Sequence, residues 1–192
     1  MGRDRPYPAE WTVRQARDAY LEENGFTVAA YDDRFTDAKL LGITFKIPNT
    51  KRHRWALMWH DLHHAITGYG TDPAGEGEIS AWETRRGLRP LGLYVGAIVI
   101  GGIGLGMLSA PRRTMRAWKE GRRRRGAVSS KQLLTREAPP KTSQEEQSLF
   151  HEPLDYEACL EMTLGDLRER LGVPRDGLYR GRRGLHAAAP EE

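Results

Sequence analysis

Histidines and acidic residues cluster in the segment WHDLHHAITGYGTDPAGEGE, residues 59–78. If residues 60–64 are helical, His60, Asp61 and His64 fall within one arc of the helix, because successive residues turn by about 100°. His63 then points to the other side. Two histidines four positions apart on one face are the usual way for a helix to present two imidazoles to one metal ion. The spacing therefore predicts a metal site.

Glu76 supplies a further ligand in this prediction. Residues 65–75 separate it from His64, which is enough for a turn and a second helix that returns Glu76 to the same place. Asp72-Pro73 is typical of a helix start, with Asp as N-cap and Pro at the first helical position. His60, Asp61, His64 and Glu76 would form a two-nitrogen, two-oxygen site, which suits zinc and also iron(II), manganese or cobalt.

Two other interpretations of this segment stay open. It could be an ordinary polar turn between two helices, and Asp61 could orient a histidine instead of binding the ion. We expect Glu78 and Glu83 to be solvated or paired with nearby arginines. His63 is expected to be a packed or surface histidine, and His53 is given no function.

Helical periodicity recurs along the chain and predicts an all-α fold in a single domain. We expect helices over about 8–25, 52–68, 73–86 and 91–110, one C-terminal helix over 156–173, and a short helix followed by an extended piece within 36–50. The composition of residues 126–152 is typical of a flexible linker. The domain is predicted to cover residues 8–174, with disordered tails at 1–7 and 186–192.

An uncharged, glycine-rich segment, LGLYVGAIVIGGIGLGMLSA, occupies residues 91–110. A helix of this length spans roughly 30 Å, the thickness of the hydrocarbon core of a bilayer. Glycines such as Gly92 and Gly96 let a second helix or a lipid chain approach the backbone closely. Three interpretations remain: a lipid-facing or groove-lining helix, a transmembrane span, or a core helix. Arginines on both flanks weaken the span.

The formal net charge is +4, and the basic residues are concentrated after residue 111. Arginines beside an apolar helix attract anionic lipid headgroups, at about 1 kcal/mol each. We expect Arg122, Arg123, Arg124 and Arg125 to do so. No aromatic residue is interleaved in this run, so nucleic-acid binding is not favoured. The single cysteine, Cys159, excludes an intramolecular disulfide and a cysteine metal cage, and it favours a cytoplasmic setting.

The segment HDLHH, eleven further residues and Glu76 match the HDxxH-x11-E signature of the coenzyme Q biosynthesis protein Coq-four family. The surrounding HDLHHAITGYGTDPAGEGEISAWE resembles that family beyond the four ligands, whereas AWKEGRR and LRERLGVP resemble its later blocks more loosely. The similarity extends over about residues 11–174. It implies an all-helical, membrane-associated protein that holds one divalent ion through His60, Asp61, His64 and Glu76 and binds a prenyl tail.

The resemblance also implies a role in ubiquinone or quinone biosynthesis, with oxidative removal of the ring carboxylate from a prenylated precursor as the reaction. A non-catalytic lipid-binding scaffold for the other biosynthetic enzymes is the alternative, and a metal-dependent phosphohydrolase is a third hypothesis. A homodimer stays open. From position alone we expect Arg85, Arg86 and Arg89 to contact the acidic group of the substrate. The residues expected to line the prenyl tail are Leu91, Val95, Ile98, Gly102 and Leu105.

Overall fold

The computed structural model describes residues 6–40, 43–86, 92–122 and 155–179. Within them the chain forms seven α-helices and a two-stranded antiparallel hairpin, so the all-α prediction is confirmed with one small addition. A short 3-10 helix at Val28–Asp32 precedes the hairpin. The elements are α1 (Val13–Glu23), β1 (Phe35–Leu40), β2 (Ile43–Pro48), α2 (Lys51–Thr67), α3 (Pro73–Arg86), α4 (Gly92–Ser109), α5 (Pro111–Gly121), α6 (Tyr156–Leu160) and α7 (Leu164–Arg170).

The helix predicted at the start of residues 36–50 is wrong, and a β-hairpin takes its place. The pairing runs from Phe35 opposite Pro48 to Leu40 opposite Ile43. Apolar residues alternate with other residues in ITFKIP, which is the period of a strand. The predicted extended piece is β2, and the residues expected to be helical form the other strand of the hairpin, β1.

The C-terminal segment forms two helices, α6 and α7, and the prediction of one continuous helix is wrong. Thr163 begins α7 by accepting a hydrogen bond from the backbone N–H of Asp166 at 3.1 Å. Its backbone is also bridged to Thr12, ahead of α1. This contact with the N-terminal segment interrupts the helix. The predicted leucine stripe is nevertheless buried: Leu160, Leu164, Leu167 and Leu171.

The two helices of the predicted metal site form a helical hairpin. Gly68 ends α2 with φ of 78°, a conformation that L side chains rarely adopt. Asp72 accepts a hydrogen bond from the N–H of Gly75 at 2.8 Å, as expected of the residue that begins α3. A Cβ atom on Gly75 would collide with the carbonyl group of Gly70. The tight turn depends on these small residues and returns α3 onto α2.

Arg168 of α7 holds the end of α2. Its guanidinium is fully buried and donates hydrogen bonds to the carbonyl oxygens of Ile66 at 2.8 Å and Ala65 at 3.2 Å. It also donates to Tyr7 at 3.0 Å and Arg175 at 2.8 Å. The last carbonyls of a helix lack partners within the helix and carry its negative end. Arg168 supplies both donors and charge there.

Both ends of the predicted domain need correction. Tyr7 was expected in a disordered tail, yet it is only 6% exposed and its hydroxyl donates to Glu23 at 2.9 Å. The fold also continues beyond residue 174. Leu178 is buried, and its backbone N–H donates to the carbonyl of Thr67 at 2.8 Å. The linker prediction for 126–152 and the tail at 186–192 lie outside the described residues.

Glycines of α4 allow it to pack closely on α3. A Cβ atom added to Gly106 would collide with the backbone of Gly77, and one added to Gly102 would collide with the side chain of Ser80. The expectation that glycine permits close approach of a second helix is therefore met by α3. Gly102 faces this helix and is half-buried, and its assignment to the prenyl-lining set stays a prediction.

The opposite face of α4 is exposed. Ile100 and Leu108 are 63% and 87% exposed there, and Ile98, one turn before Gly102, is 43% exposed. The described part of the chain contains no helix with the length and apolarity needed to cross a bilayer. Leu105 is half-buried. Leu91 and the side chain of Val95, both assigned to the prenyl-lining set, lie outside what the structure describes.

The two kinds of glycine on α4 can be compared by matched substitutions. Gly106→Ala should destabilise the protein by about 1–3 kcal/mol, because the new methyl group meets the backbone of α3. Gly104→Ala should stabilise it by up to about 1 kcal/mol, since Gly104 has open space around it and alanine favours the helix. Urea unfolding of both variants measures the difference. Equal free energies of unfolding would contradict the α3–α4 packing.

Candidate metal centre

Two imidazole nitrogens and one carboxylate converge between α2 and α3. The Nε2 atoms of His60 and His64 lie 3.2 Å apart. Oε2 of Glu76 lies 3.4 Å from Nε2 of His60, and its Oε1 lies 3.5 Å from Nε2 of His64. The group of His60, His64 and Glu76 is the one in the described residues whose ligand atoms lie close enough together to hold a metal ion, within 4.8 Å of one another.

These separations fit a tetrahedral ion. Metal–ligand bonds of 2.0–2.1 Å in tetrahedral geometry place neighbouring ligand atoms about 3.3 Å apart. The Nε2–Nε2 separation of 3.2 Å is close to that value, and Glu76 approaches the two imidazoles with different oxygens, Oε2 at 3.4 Å from His60 and Oε1 at 3.5 Å from His64. Three protein ligands leave the fourth position of a tetrahedron for water or substrate. This is the ligand number of catalytic zinc sites, whereas structural sites use four.

The hydrogen bonds around His64 leave its Nε2 atom free to bind an ion. Its Nδ1 atom lies 3.0 Å from the carbonyl oxygen of Tyr69, which can only accept, so Nδ1 carries the hydrogen. Tyr20 stacks on the ring with the centroids 5.4 Å apart and the planes inclined by 12°. Burial lowers the pKa of His64, which keeps it neutral as a ligand must be.

His60 is tied to α3 by a second carboxylate, Glu83. Both carboxylate oxygens lie 3.2 Å from Nδ1 of His60, and Oε1 also lies 2.8 Å from Nδ1 of His63. Burial opposes charge on both groups, but the pair outweighs it, so the pKa of Glu83 is lowered and that of His60 is raised. The expectation that Glu83 is solvated or paired with arginine is wrong.

Sequence reasoning missed Glu83 although a signal was present. Glu76 and Glu83 are seven residues apart and therefore share a face of α3, two turns from each other. That face meets α2. Glu78 lies on a different side of α3, where it is fully buried and pairs with Arg113 of α5 at 2.6 Å. The expectation that Glu78 could pair with an arginine is confirmed.

Asp61 does not belong to the converging group. Its Oδ2 atom accepts a hydrogen bond from the hydroxyl of Tyr31 at 2.8 Å, in a buried position. Burial raises the pKa of Asp61 to about 6. Of the four predicted ligands the structure thus brings three together and gives the fourth another partner. Tyr31 lies in the 3-10 helix, and nothing in its sequence context indicated this role.

A cavity of about 30 Å³ reaches His64 from the side of α1. Tyr7, Tyr20, Asn24 and Tyr69 line it together with His64. This volume holds one or two water molecules. The cavity can therefore bring water to that side of His64 but not an aromatic ring.

The arginines expected to contact substrate have other partners. Arg86 is buried, donates to the carbonyl of Leu171, and lies with its guanidinium 4.2 Å from the ring centre of Trp82. Arg85 lies over Trp118 of α5, 5.6 Å from the ring centre. Both side chains thus connect helices, and Arg86 is unavailable to a substrate. Arg89 lies outside the described residues.

Comparisons with protein-family models, with curated proteins and with solved structures find no match to this chain. The resemblance to the Coq-four family consequently depends on the residues quoted for it. The three converging ligands belong to that signature, and Asp61 is the member whose side chain has a different partner.

Metal content separates a binding site from a polar turn. Protein purified without chelator should contain about one divalent ion per chain, and His64→Ala should contain almost none. His53→Ala is the matched control, because His53 is a buried histidine of the same helix outside the converging group. Elemental analysis of the three proteins measures the ratio. Folded wild-type protein that takes up no added zinc, iron, manganese or cobalt would contradict the site.

Proposed function

We propose that this chain is a divalent-metal-dependent enzyme of quinone biosynthesis that removes the ring carboxylate of a prenylated precursor oxidatively. The observation that carries the proposal is the convergence of His60, His64 and Glu76, three protein ligands that would leave the fourth position of a tetrahedral ion to water or substrate. Side-chain exposure supports access from one direction. Glu76 is 35% and His60 26% exposed, whereas His64 is 1% exposed. Zinc fits the ligands best, and iron, manganese and cobalt remain candidates.

The bound ion would supply Lewis acidity to a ring hydroxyl or carboxylate. The chain's own residues have simpler tasks: Glu83 and Tyr69 hold the imidazoles in place, and Tyr20 stacks on the ring of His64. In the overall reaction the ring carbon loses CO₂ and gains a hydroxyl group. With dioxygen as oxidant, one oxygen atom enters the ring, and the other leaves as water with two electrons and two protons from an external reductant.

The geometry favours an enzyme over a scaffold. A structural ion is expected to have four protein ligands and no open position, whereas three are brought together here. The phosphohydrolase hypothesis has less support. Such an enzyme would need both His60 and the adjacent Asp61 as metal ligands, and Asp61 accepts a hydrogen bond from Tyr31 instead.

Peripheral membrane association is the second part of the proposal, and the exposed face of α4 supports it. Ile100 and Leu108 lie on one face of that helix and are 63% and 87% exposed, and Met115 of α5 is 46% exposed. Exposed basic residues lie on α5 and directly after it: Arg112, Lys119 and Arg122. An apolar helix face beside positive charge is typical of contact with an anionic membrane surface. Of the predicted headgroup arginines, Arg123, Arg124 and Arg125 lie outside the described residues.

The reaction can be tested with a prenylated hydroxybenzoate that carries an isotopic label in its carboxyl group. Wild-type protein loaded with each candidate metal, and supplied with oxygen and a reductant, should release labelled CO₂. His64→Ala should release no more than a blank, and His53→Ala should match the wild type. Metal-loaded wild type that binds the precursor in vesicles without releasing CO₂ would contradict the enzyme and favour the scaffold.

Membrane association can be tested by co-sedimentation with anionic vesicles. The variant Leu108→Asp should bind at least about tenfold more weakly than the wild type, because a buried leucine contributes 1.5–3 kcal/mol. Phe26→Asp is the matched control, since Phe26 is 51% exposed but lies in the loop after α1. Neutral vesicles should bind less than anionic ones. A wild-type dimer that Leu108→Asp dissociates, with no vesicle binding, would assign this face to a second copy of the chain.

A further inference from the structure

We propose that Glu83 is a positioning residue for the metal centre, supported from behind by His63. The inference rests on the proposed metal-dependent function and assigns roles to two residues outside the ligand set. Glu83 is 8% exposed and accepts from two imidazoles of α2 at once. Of the three candidate ligands it contacts His60, through the Nδ1 atom of that ring.

Glu83 determines which nitrogen of His60 carries the hydrogen. Both oxygens of the Glu83 carboxylate face Nδ1 of His60 at 3.2 Å, and carboxylate oxygens accept hydrogen bonds, so Nδ1 is placed to donate to them. Nε2 then keeps its lone pair and points toward Nε2 of His64 at 3.2 Å. Tyr69 does the same for His64 through its carbonyl oxygen. The two ligands are therefore oriented by two different acceptors, one from a side chain and one from the backbone.

His63 holds the carboxylate of Glu83 in place, and Glu83 in turn orients His60. Its Nδ1 atom donates to Oε1 of Glu83 at 2.8 Å, a shorter contact than those of His60. Its ring packs between Trp59 and Trp82, with centroid distances of 5.8 and 5.2 Å. The ring therefore cannot turn freely, and it holds one oxygen of Glu83 in place. The order of contacts is His63 to Glu83 to His60 to the ion.

An isosteric substitution isolates this role. In Glu83→Gln one carboxylate oxygen becomes an NH₂ group while the shape is kept. Both oxygens of Glu83 lie 3.2 Å from Nδ1 of His60, so in either orientation of the amide this nitrogen faces one neutral oxygen and one NH₂ group instead of two carboxylate oxygens. The hold on the Nδ1 hydrogen is weaker, and the NH₂ group favours the form of His60 that carries its hydrogen on Nε2, where it blocks the ion. Metal affinity should fall in either case.

Glu78→Gln is the matched control. Glu78 is a fully buried carboxylate on the same helix, but its partners are Arg113 and Arg116 of α5. Loss of a buried charge pair should reduce the stability of this variant without changing its affinity for metal. Any general effect of neutralising a buried carboxylate on α3 would appear in both variants.

The experiment measures zinc affinity by competition with a chelator, and the absorption spectrum of bound cobalt(II). Glu83→Gln should bind zinc about 10- to 100-fold more weakly than the wild type, with an altered cobalt spectrum. Glu78→Gln should keep the wild-type affinity and spectrum. His63→Phe, which retains the packed ring but not the donor, should weaken binding in the same direction and serves as the test if Glu83→Gln does not fold.

The outcomes separate this inference from the function on which it rests. Wild-type protein that binds neither zinc nor cobalt overturns the metal-dependent function, and the positioning role with it. Wild type and Glu83→Gln with equal affinities and identical cobalt spectra overturn the positioning role alone. Equal losses in Glu83→Gln and Glu78→Gln also overturn it, because they would show a general effect of buried charge.

Discussion

A carboxylate buried between helices must be paired, and Glu83 meets that requirement by joining α3 to α2. The two imidazoles that satisfy it come from consecutive turns of α2, so the register between the helices is fixed. Glu76, on the same face of α3 as Glu83, is then held opposite His60 and His64. The three candidate ligands therefore converge because Glu83, which is not a ligand, pairs with His60 and His63.

The requirement that buried charged groups have partners also joins α5 to α3 and α7 to α2. Glu78 leaves α3 on a different side, and its buried carboxylate joins Arg113 of α5. Arg168 of α7 is fully buried, and its guanidinium donates to backbone carbonyls, two of them near the end of α2. Burial lowers the pKa of Arg168 to about 10, which leaves the guanidinium charged at neutral pH. The polar groups in the interior thus specify which helices meet.

The sequence was informative where a local pattern decides the structure. The bounds of α2 and α3 follow from Gly68, Asp72 and Pro73, and the spacing of His60, His64 and Glu76 predicted their convergence. Side-chain partners from distant segments were not predictable in this way. Tyr31 donates a hydrogen bond to Asp61, which was expected to be a ligand. The backbone contact between Thr12 and Thr163 divides the C-terminal helix in two. Both depend on tertiary contacts that periodicity does not encode.

Contacts within the protein orient two of the three candidate ligands, since Glu83 holds His60 and the carbonyl oxygen of Tyr69 holds His64. The carboxylates of Glu83 and Glu76 raise the pKa of His60 against the effect of burial, so this imidazole can carry a second proton, on Nε2, facing His64 and Glu76. A bound ion would take the place of that proton, and the same carboxylates would then hold a neutral ring. Because either cation satisfies the same acceptors, the ligands need little rearrangement on binding. A centre built in this way is preorganised, which is what a ligand set with an open position requires of its surroundings.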